Sequence, residues 1–299
     1  VGIFCSCARH DEIIRHDNTE IPNYMTEPHP SPSEAELRAA LSTLFPDADS
    51  LDQAIRHFAS AGTQPSVPQI DGVDVDLQRQ SRCGFPEVIF GEGKTTETIL
   101  GILRAQQQAG QDSFVTRIRP DQVTVIQAEF SDVIRNDMAR TIRLHRPSAN
   151  LIVKAGPVIV ITAGSSDRPV AEEAMETLRW MKIDCELIQD AGVAGPQRLL
   201  RHIPKLQRAA AIVCVAGMEA ALPSIVGGYV PCPVIGVPTS VGYGASLNGI
   251  TAMLSMLTCC ASNVVSVNID AGFKGGYVAG LIASRMNSNL PTSTVQALR

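Results

Sequence analysis

From Ala209 to Phe273 the chain runs for 65 residues with two charged side chains, Glu219 and Asp270. Apolar runs there stop repeatedly at Gly, Pro, Ser and Thr clusters, the pattern of strands buried on both faces alternating with loops. The rhythm begins at Pro157, with strands PVIVITA, CELIQ, AAIVCVA, PVIGVP and NVVSVNI. Helices RPVAEEAMETLRWMK, PQRLLRHIPKLQRA, AALPSIVGGYV, ASLNGITAMLSML and YVAGLIASRM follow them in turn. Five strands alternating with five helices predict an α/β fold, a three-layer sandwich with a parallel sheet of the flavodoxin/Rossmann type. Ligands of such sheets bind at the carboxyl ends of the strands. The loops expected there are AGSSD, DAGVAG, AGMEAALPS, VPTSVGYGAS and NIDAGF.

The rest of the chain divides by composition. Residues 1–32, with DNTEIPNYMTEPHPSPS, predict a disordered extension, and residues 33–69 two short helices and a linker. The first helix has Ser33 as cap and Glu36 at capping-box spacing. Residues 70–150 predict a small N-terminal α/β domain: strand EVIF, helix TTETILGILRAQQQAG, then strands FVTRI and VTVIQAEF turning at Arg119-Pro120-Asp121. IRNDMARTIRLHR reads as a further basic helix or arm. The sheet domain spans 155–287 and a tail 288–299. The first 150 residues hold 14 Lys+Arg and 21 Asp+Glu, the remainder 11 and 9, which supports two structural units.

A net charge of -5 excludes the basic footprint of a nucleic-acid or anionic-membrane binder. The segment 250–269 carries Ser, Thr and Asn, so no transmembrane helix is expected. The start VGIFCSCARHDEII reaches charges too early for a signal peptide, and the eight cysteines form no C-x-x-C pair. Cysteines inside strands fit a reducing cytosol, which makes the expected location cytoplasmic. Cys185, Cys214 and Cys232 read as small buried hydrophobes. No His/Asp/Glu cluster has metal-ligand spacing, so no metal site and no tightly bound cofactor are expected.

Glu219 stands out because an unpaired carboxylate in an apolar core is costly. Gly164, Ser165, Ser166 and Asp167 precede a helix, where backbone N–H groups make an anion seat, although Ser166 or Asp167 as a plain N-cap explains the motif equally well. The other strand-end loops add Asp190, Gly217 and Met218, then Pro238, Thr239, Ser240, Tyr243 and Gly244, and Asp270, as expected substrate contacts. Phe90-Gly91-Glu92-Gly93-Lys94-Thr95 is not a phosphate-binding P-loop, since Val88 stands where its first glycine belongs. Cys259 and Cys260 follow a helix whose negative end disfavours a thiolate, so position alone makes neither a nucleophile.

AGSSD, AGMEAALPS and PVIGVP resemble the aminoimidazole ribonucleotide carboxylase/mutase fold, PurE. The set GSSDRPVAEEA, GMEAALPSIVGGYV, VIGVPTSVGYGAS, MLTCCA and VNIDAGF, with RCGFPEVIFGEGKT upstream, resembles the LarB family more closely, from about Asp76 to Ala283. That resemblance implies carboxylation and hydrolysis of nicotinic acid adenine dinucleotide to pyridinium-3,5-biscarboxylic acid mononucleotide and AMP, a step of nickel-pincer cofactor assembly. It implies Cys260 as nucleophile, Glu219 as base, and Mg²⁺ on the diphosphate without a nameable ligand set. Dinucleotide and CO2 or bicarbonate are the implied partners, and a homo-oligomer, an octamer by resemblance, the implied assembly. The family's usual His is Gln197 here, and its usual Pro and Gly after CCA are Ser262 and Asn263. Two alternatives are the purine-pathway carboxylase, whose histidines are missing from DAGVAG and at Ala221, and a nucleotide-binding regulator, which would need neither Cys260 nor Glu219.

Overall fold

The computed structural model describes residues 33–42, 44–45, 47–52, 54–55, 70, 72–145 and 155–288. The expected disordered extension and the expected tail beyond 288 lie outside them. The chain divides into two units at Pro65 and Ser66. In the first, helix α1 (Glu34–Leu41) opens with the expected box: Ser33 Oγ accepts from Glu36 N at 3.3 Å, and Glu36 Oε2 accepts from Ser33 N at 2.7 Å.

The second unit starts with a small domain of α2 (Arg79–Cys83), β1 (Ile89–Phe90), α3 (Thr96–Gln108), β2 (Ser113–Thr116), α4 (Pro120–Glu129), β3 (Ile134–Asn136) and β4 (Thr141–Leu144). Its sheet runs β1-β2-β4-β3, parallel at the first pair and antiparallel at the others. Two expectations fail here. VTVIQAEF is helix α4, not a strand. The alternating V-T-V misleads, because the buried set is Val123, Ile126 and Phe130, at helical spacing, while Val125 is exposed. Pro120 occupies the first turn, where its missing N–H costs nothing, and Arg119 N donates to Gln122 Oε1 at 3.0 Å. IRNDMARTIRLHR is a hairpin, not a helix or arm. It turns through Asp137 to Arg140, with Arg140 at φ 52, and alternate residues Ile142 and Leu144 of β4 face the core.

The larger domain comprises β5 (Ala155–Thr162), α5 (Arg168–Trp180), β6 (Ile183–Ile188), α6 (Pro196–Leu200), α7 (Ile203–Leu206), β7 (Ala211–Ala216), α8 (Leu222–Gly227), β8 (Val234–Pro238), α9 (Ile250–Leu257), β9 (Val264–Ser266) and α10 (Gly272–Ser288). All five strands are parallel, in the order β6-β5-β7-β8-β9. Val158, Val160, Val213 and Val215 face α5 and α10, while Ile159, Ile161, Ile212 and Cys214 face α6 to α9. Alternate residues therefore enter opposite cores, and each fully buried aliphatic stabilises the fold by about 1.5–3 kcal/mol. The expected helix PQRLLRHIPKLQRA is two short helices, because Pro204 has no N–H to continue the first. Burial pushes the Cys185 thiol up to about 11 and the enclosed Cys214 thiol well up, as suits apolar packing rather than reactivity.

α5 and α10 lie in backbone contact. A Cβ on Gly276 would sit 2.6 Å from the Ala174 carbonyl, and one on Gly280 2.6 Å from Met181 Cε. α5 also carries the carboxylates that hold the small domain. Arg143 Nε binds Glu176 Oε2 at 2.7 Å, Asn136 reaches Glu172 and Glu176 at 3.2 Å, and Arg117 Nε binds Glu173 Oε1 at 3.2 Å. Burial opposes the charge of Glu176, yet Arg143, Asn136 and Arg179 hold its carboxyl below the usual value.

Candidate functional site

The carboxyl ends of β5, β7 and β8 surround a cavity of about 350 Å³. Gly164, Ser165, Ser166, Asp167, Asp190, Gly217, Met218 and Glu219 line it. Beside it, sharing Ser166 and Val241, lies a second cavity of about 270 Å³ with Ser240 and Asp270 on its wall.

Asp167 is 3% exposed and organises the first cavity. Its Oδ1 accepts from the Thr239 hydroxyl at 2.7 Å and its Oδ2 from Gly164 N at 2.8 Å, and Gly217 N also points to it. Burial pushes its carboxyl up, against those hydrogen bonds. One side chain thus ties together the loops after β5, β7 and β8. This corrects one expectation. Asp167 makes no capping hydrogen bond to α5; it positions three loops while lining the cavity where its substrate contact is expected. The anion seat is likewise reduced: Gly164 N–H is spent on Asp167, and Ser165 and Ser166 remain exposed on the cavity wall. Gly217 has no room for a side chain, because a Cβ would strike the Val241 carbonyl and Thr239 Oγ1.

Glu219 is exposed, which overturns the expectation that it is a core carboxylate. The charge-poor segment buries β7 and β8, but Glu219 follows β7 in a loop between Met218 (φ 53) and Ala220 (φ 52). Among the described residues no hydrogen bond or ion pair engages it, so its carboxylate is open to whatever enters the cavity. Asp190 (φ 54) binds Arg198 Nη1 through Oδ2 at 2.7 Å. Arg198 also lines the cavity and was not singled out from the sequence. Gly195 leaves it room, since a Cβ there would lie 2.6 Å from Arg198 Nε. Arg117 and Arg140, from the small domain, were missed as well.

The remaining candidates separate. Pro238 and Thr239 are buried beneath the loops. Asp270 Oδ1 accepts from Ser240 N at 2.9 Å, while Tyr243 and Gly244 are exposed and line neither cavity. Cys260 also lines neither. It sits between α9 and β9, at the amino end of a strand parallel to β8, and its neighbour Ala261 packs by Gly227 at the far end of α8. β8 alone spans about 13 Å at ~3.3 Å per residue, so within one chain Cys260 and Glu219 are at opposite ends of the sheet. Among the described residues no three His, Cys, Asp or Glu side chains are placed to hold a metal. No helix among the described residues is long and apolar enough to cross a membrane.

Two family models match the chain in tandem, the LarB/PurE-like N-terminal domain over 67–146 and AIR carboxylase over 157–299. An uncharacterised protein of Methanocaldococcus jannaschii is 37% identical over 220 residues, 71% of this chain and 84% of that protein. This chain belongs to the LarB family. The small domain is therefore the LarB/PurE-like N-terminal domain and the larger one the PurE-like domain. N5-carboxyaminoimidazole ribonucleotide mutases match the latter: the M. jannaschii enzyme is 27% identical over 46% of this chain and 86% of its own, and the Thermotoga maritima enzyme 30% over 41% and 72%. The activity is of the LarB/PurE-like carboxylase type.

Proposed function

We propose that this LarB-family enzyme carboxylates the pyridinium ring of nicotinic acid adenine dinucleotide and then hydrolyses the phosphoanhydride, releasing AMP, in nickel-pincer cofactor assembly. The observation that carries the reading is the open Glu219 carboxylate on a cavity at the strand ends, in a chain that retains Cys260. An electron-poor ring carbon cannot attack CO2. Addition of the Cys260 thiolate opposite the ring nitrogen forms a C–S bond and leaves a neutral enamine. The enamine's β-carbon attacks CO2 and forms the C–C bond. Glu219 removes the proton from that carbon, the electron pair returns to the ring, and the C–S bond breaks to release thiolate. The substrate's ring cation favours the thiolate only while substrate is bound.

Because one chain separates the two groups, the reading requires Cys260 from a second copy at the cavity of the first. The surface near Cys260 suits such a neighbour, since Leu254, Leu257 and Val265 are all exposed there. The homo-oligomer is thus part of the mechanism, and CO2 and the dinucleotide are its reactants. The test is incubation with nicotinic acid adenine dinucleotide and ¹³C-bicarbonate followed by mass spectrometry. Labelled dicarboxylated mononucleotide together with AMP is expected; carboxylation of an aminoimidazole ribonucleotide instead would replace this reading.

A further inference from the structure

The second cavity lies where the two domains of the second unit meet. Met138, Ala139, Arg117 and Arg140 come from the N-terminal domain, and the opposite wall from the PurE-like domain. Nine non-glycine residues among those described hold a positive φ. Three of them, Asp190, Met218 and Ala220, line the first cavity, and three, Arg117, Arg140 and Asp270, line the second. Left-handed backbone outside glycine is strained and gathers where a site requires it; at Arg140 it also closes the hairpin turn, with Arg140 N donating to the Asp137 carbonyl at 3.2 Å. The second cavity carries the same mark as the first.

Its charges are not equally committed. Arg117 bridges Glu173 Oε1 at 3.2 Å and donates to the Asp270 carbonyl, so it locks the two domains. Glu173 further accepts from Phe273 N at 3.2 Å, and Asp270 from Ser240 N. Arg140 has no carboxylate partner among the described residues. Its guanidinium reaches only the carbonyls of Ile118 and Arg117, at 3.5 and 3.4 Å, the outer limit for hydrogen bonds. The ridge shared with the first cavity carries the exposed Ser166. At about 350 Å³ the first cavity is near the lower end for ligand pockets, about 300 Å³, and suits one nucleotide half better than two.

We infer that the second cavity is a subsite for a phosphate-bearing nucleotide half, with Arg140 as its anion-binding residue, and that the N-terminal domain is present to complete it. Naming that half as the adenylate end of the dinucleotide rests on the proposed function; the anion subsite itself does not. The probe is AMP, titrated calorimetrically into the full chain and into Arg140→Gln and Arg140→Lys, with nicotinic acid mononucleotide as control. Arg140 is exposed in a hairpin turn, so both variants should fold, which circular dichroism checks. Arg140→Gln should weaken AMP about tenfold, Arg140→Lys should restore part of the loss, and mononucleotide affinity should hold. Equal AMP binding by wild type and Arg140→Gln, or no AMP binding by wild type, overturns the subsite. So does a parallel loss of mononucleotide affinity, which would place Arg140 in the first cavity. Arg140-dependent AMP binding in an enzyme that makes no carboxylated product would leave the subsite standing and remove only the proposed reaction.

Discussion

At the carboxyl ends of β5, β7 and β8, three loops are tied to one another through Asp167, and the cavity they form has its carboxylates, its strained turns and its arginine within one chain. At the amino ends of β8 and β9, the loop with Cys259 and Cys260 is held at its start by a long bond from Cys259 N to the Met256 carbonyl, at 3.4 Å, and past the cysteines by Val264 N to the Ala261 carbonyl and Asn263 Nδ2 to the Val230 and Cys232 carbonyls. Exposed leucines flank it. One end is finished by its own chain, whereas the other presents a sulfur with nothing of its own to act on. The contrast locates the reactive groups by topology: a parallel sheet collects successive loops at one edge and cannot also deliver the opposite edge to them.

The sharpest test of that contrast is complementation. Cys260→Ala should lose several powers of ten in turnover, each worth ~1.4 kcal/mol, because an entire covalent step disappears. Co-assembled with Glu219→Gln chains, it should regain activity, since mixed oligomers hold intact sites at some interfaces. Mixtures as inactive as either parent would mean that both groups serve within one chain, and the separation of the two ends would lose its functional meaning. Next in size, Glu219→Gln should fall by about 10²–10⁴ in carboxylation while a substrate adduct accumulates on Cys260, read by intact-protein mass. Wild-type turnover would remove Glu219 from the chemistry.

Two smaller effects compare how the ends are held. Asp167→Ala leaves the Gly164 and Gly217 N–H groups and the Thr239 hydroxyl without their acceptor, so it should cost about 3 kcal/mol in urea unfolding as well as activity. Arg143→Ala strips Glu176 of its strongest partner and should also cost about 3 kcal/mol. The sign with pH is fixed: a carboxyl held below its usual value contributes stability above the unfolded value, and loses it as pH falls through the folded one. The wild-type advantage should therefore shrink in acid. A constant difference would show packing by Arg143 instead. Smallest of all, Cys259→Ala should retain most activity, and an inactive variant would exchange the roles of the two sulfurs.

The five-stranded sheet was legible because strands buried on both faces leave an uninterrupted apolar signature, and its strand-end loops named the first cavity almost completely. The N-terminal domain was less so. VTVIQAEF alternates like a strand over its first residues, and only Pro120 in the first turn with the spacing of Val123, Ile126 and Phe130 discloses a helix. Glu219 was chosen for a reason that fails, since the scarcity of charge around it belongs to β7 and β8 and not to its own loop. That Asp167 ties its loop to two others was not legible, because a loop motif does not tell which way a carboxylate turns, and Thr239, its partner, lies 72 residues away. Arg117 and Arg140 carried no motif at all: their role arises only where two domains meet.

The seam of Gly276 and Gly280 has a mechanical consequence. Gly276 brings the two backbones into contact and Gly280 admits the Met181 side chain, so α5 and α10 pack closely, as a single beam. Asp167 precedes the start of one helix and Asp270 lies two residues before the other, which anchors both cavities to that beam. The hairpin that carries Arg140 is tied to the same beam, through Asn136 and Arg143 to Glu172 and Glu176, so the second cavity is held by both domains at once.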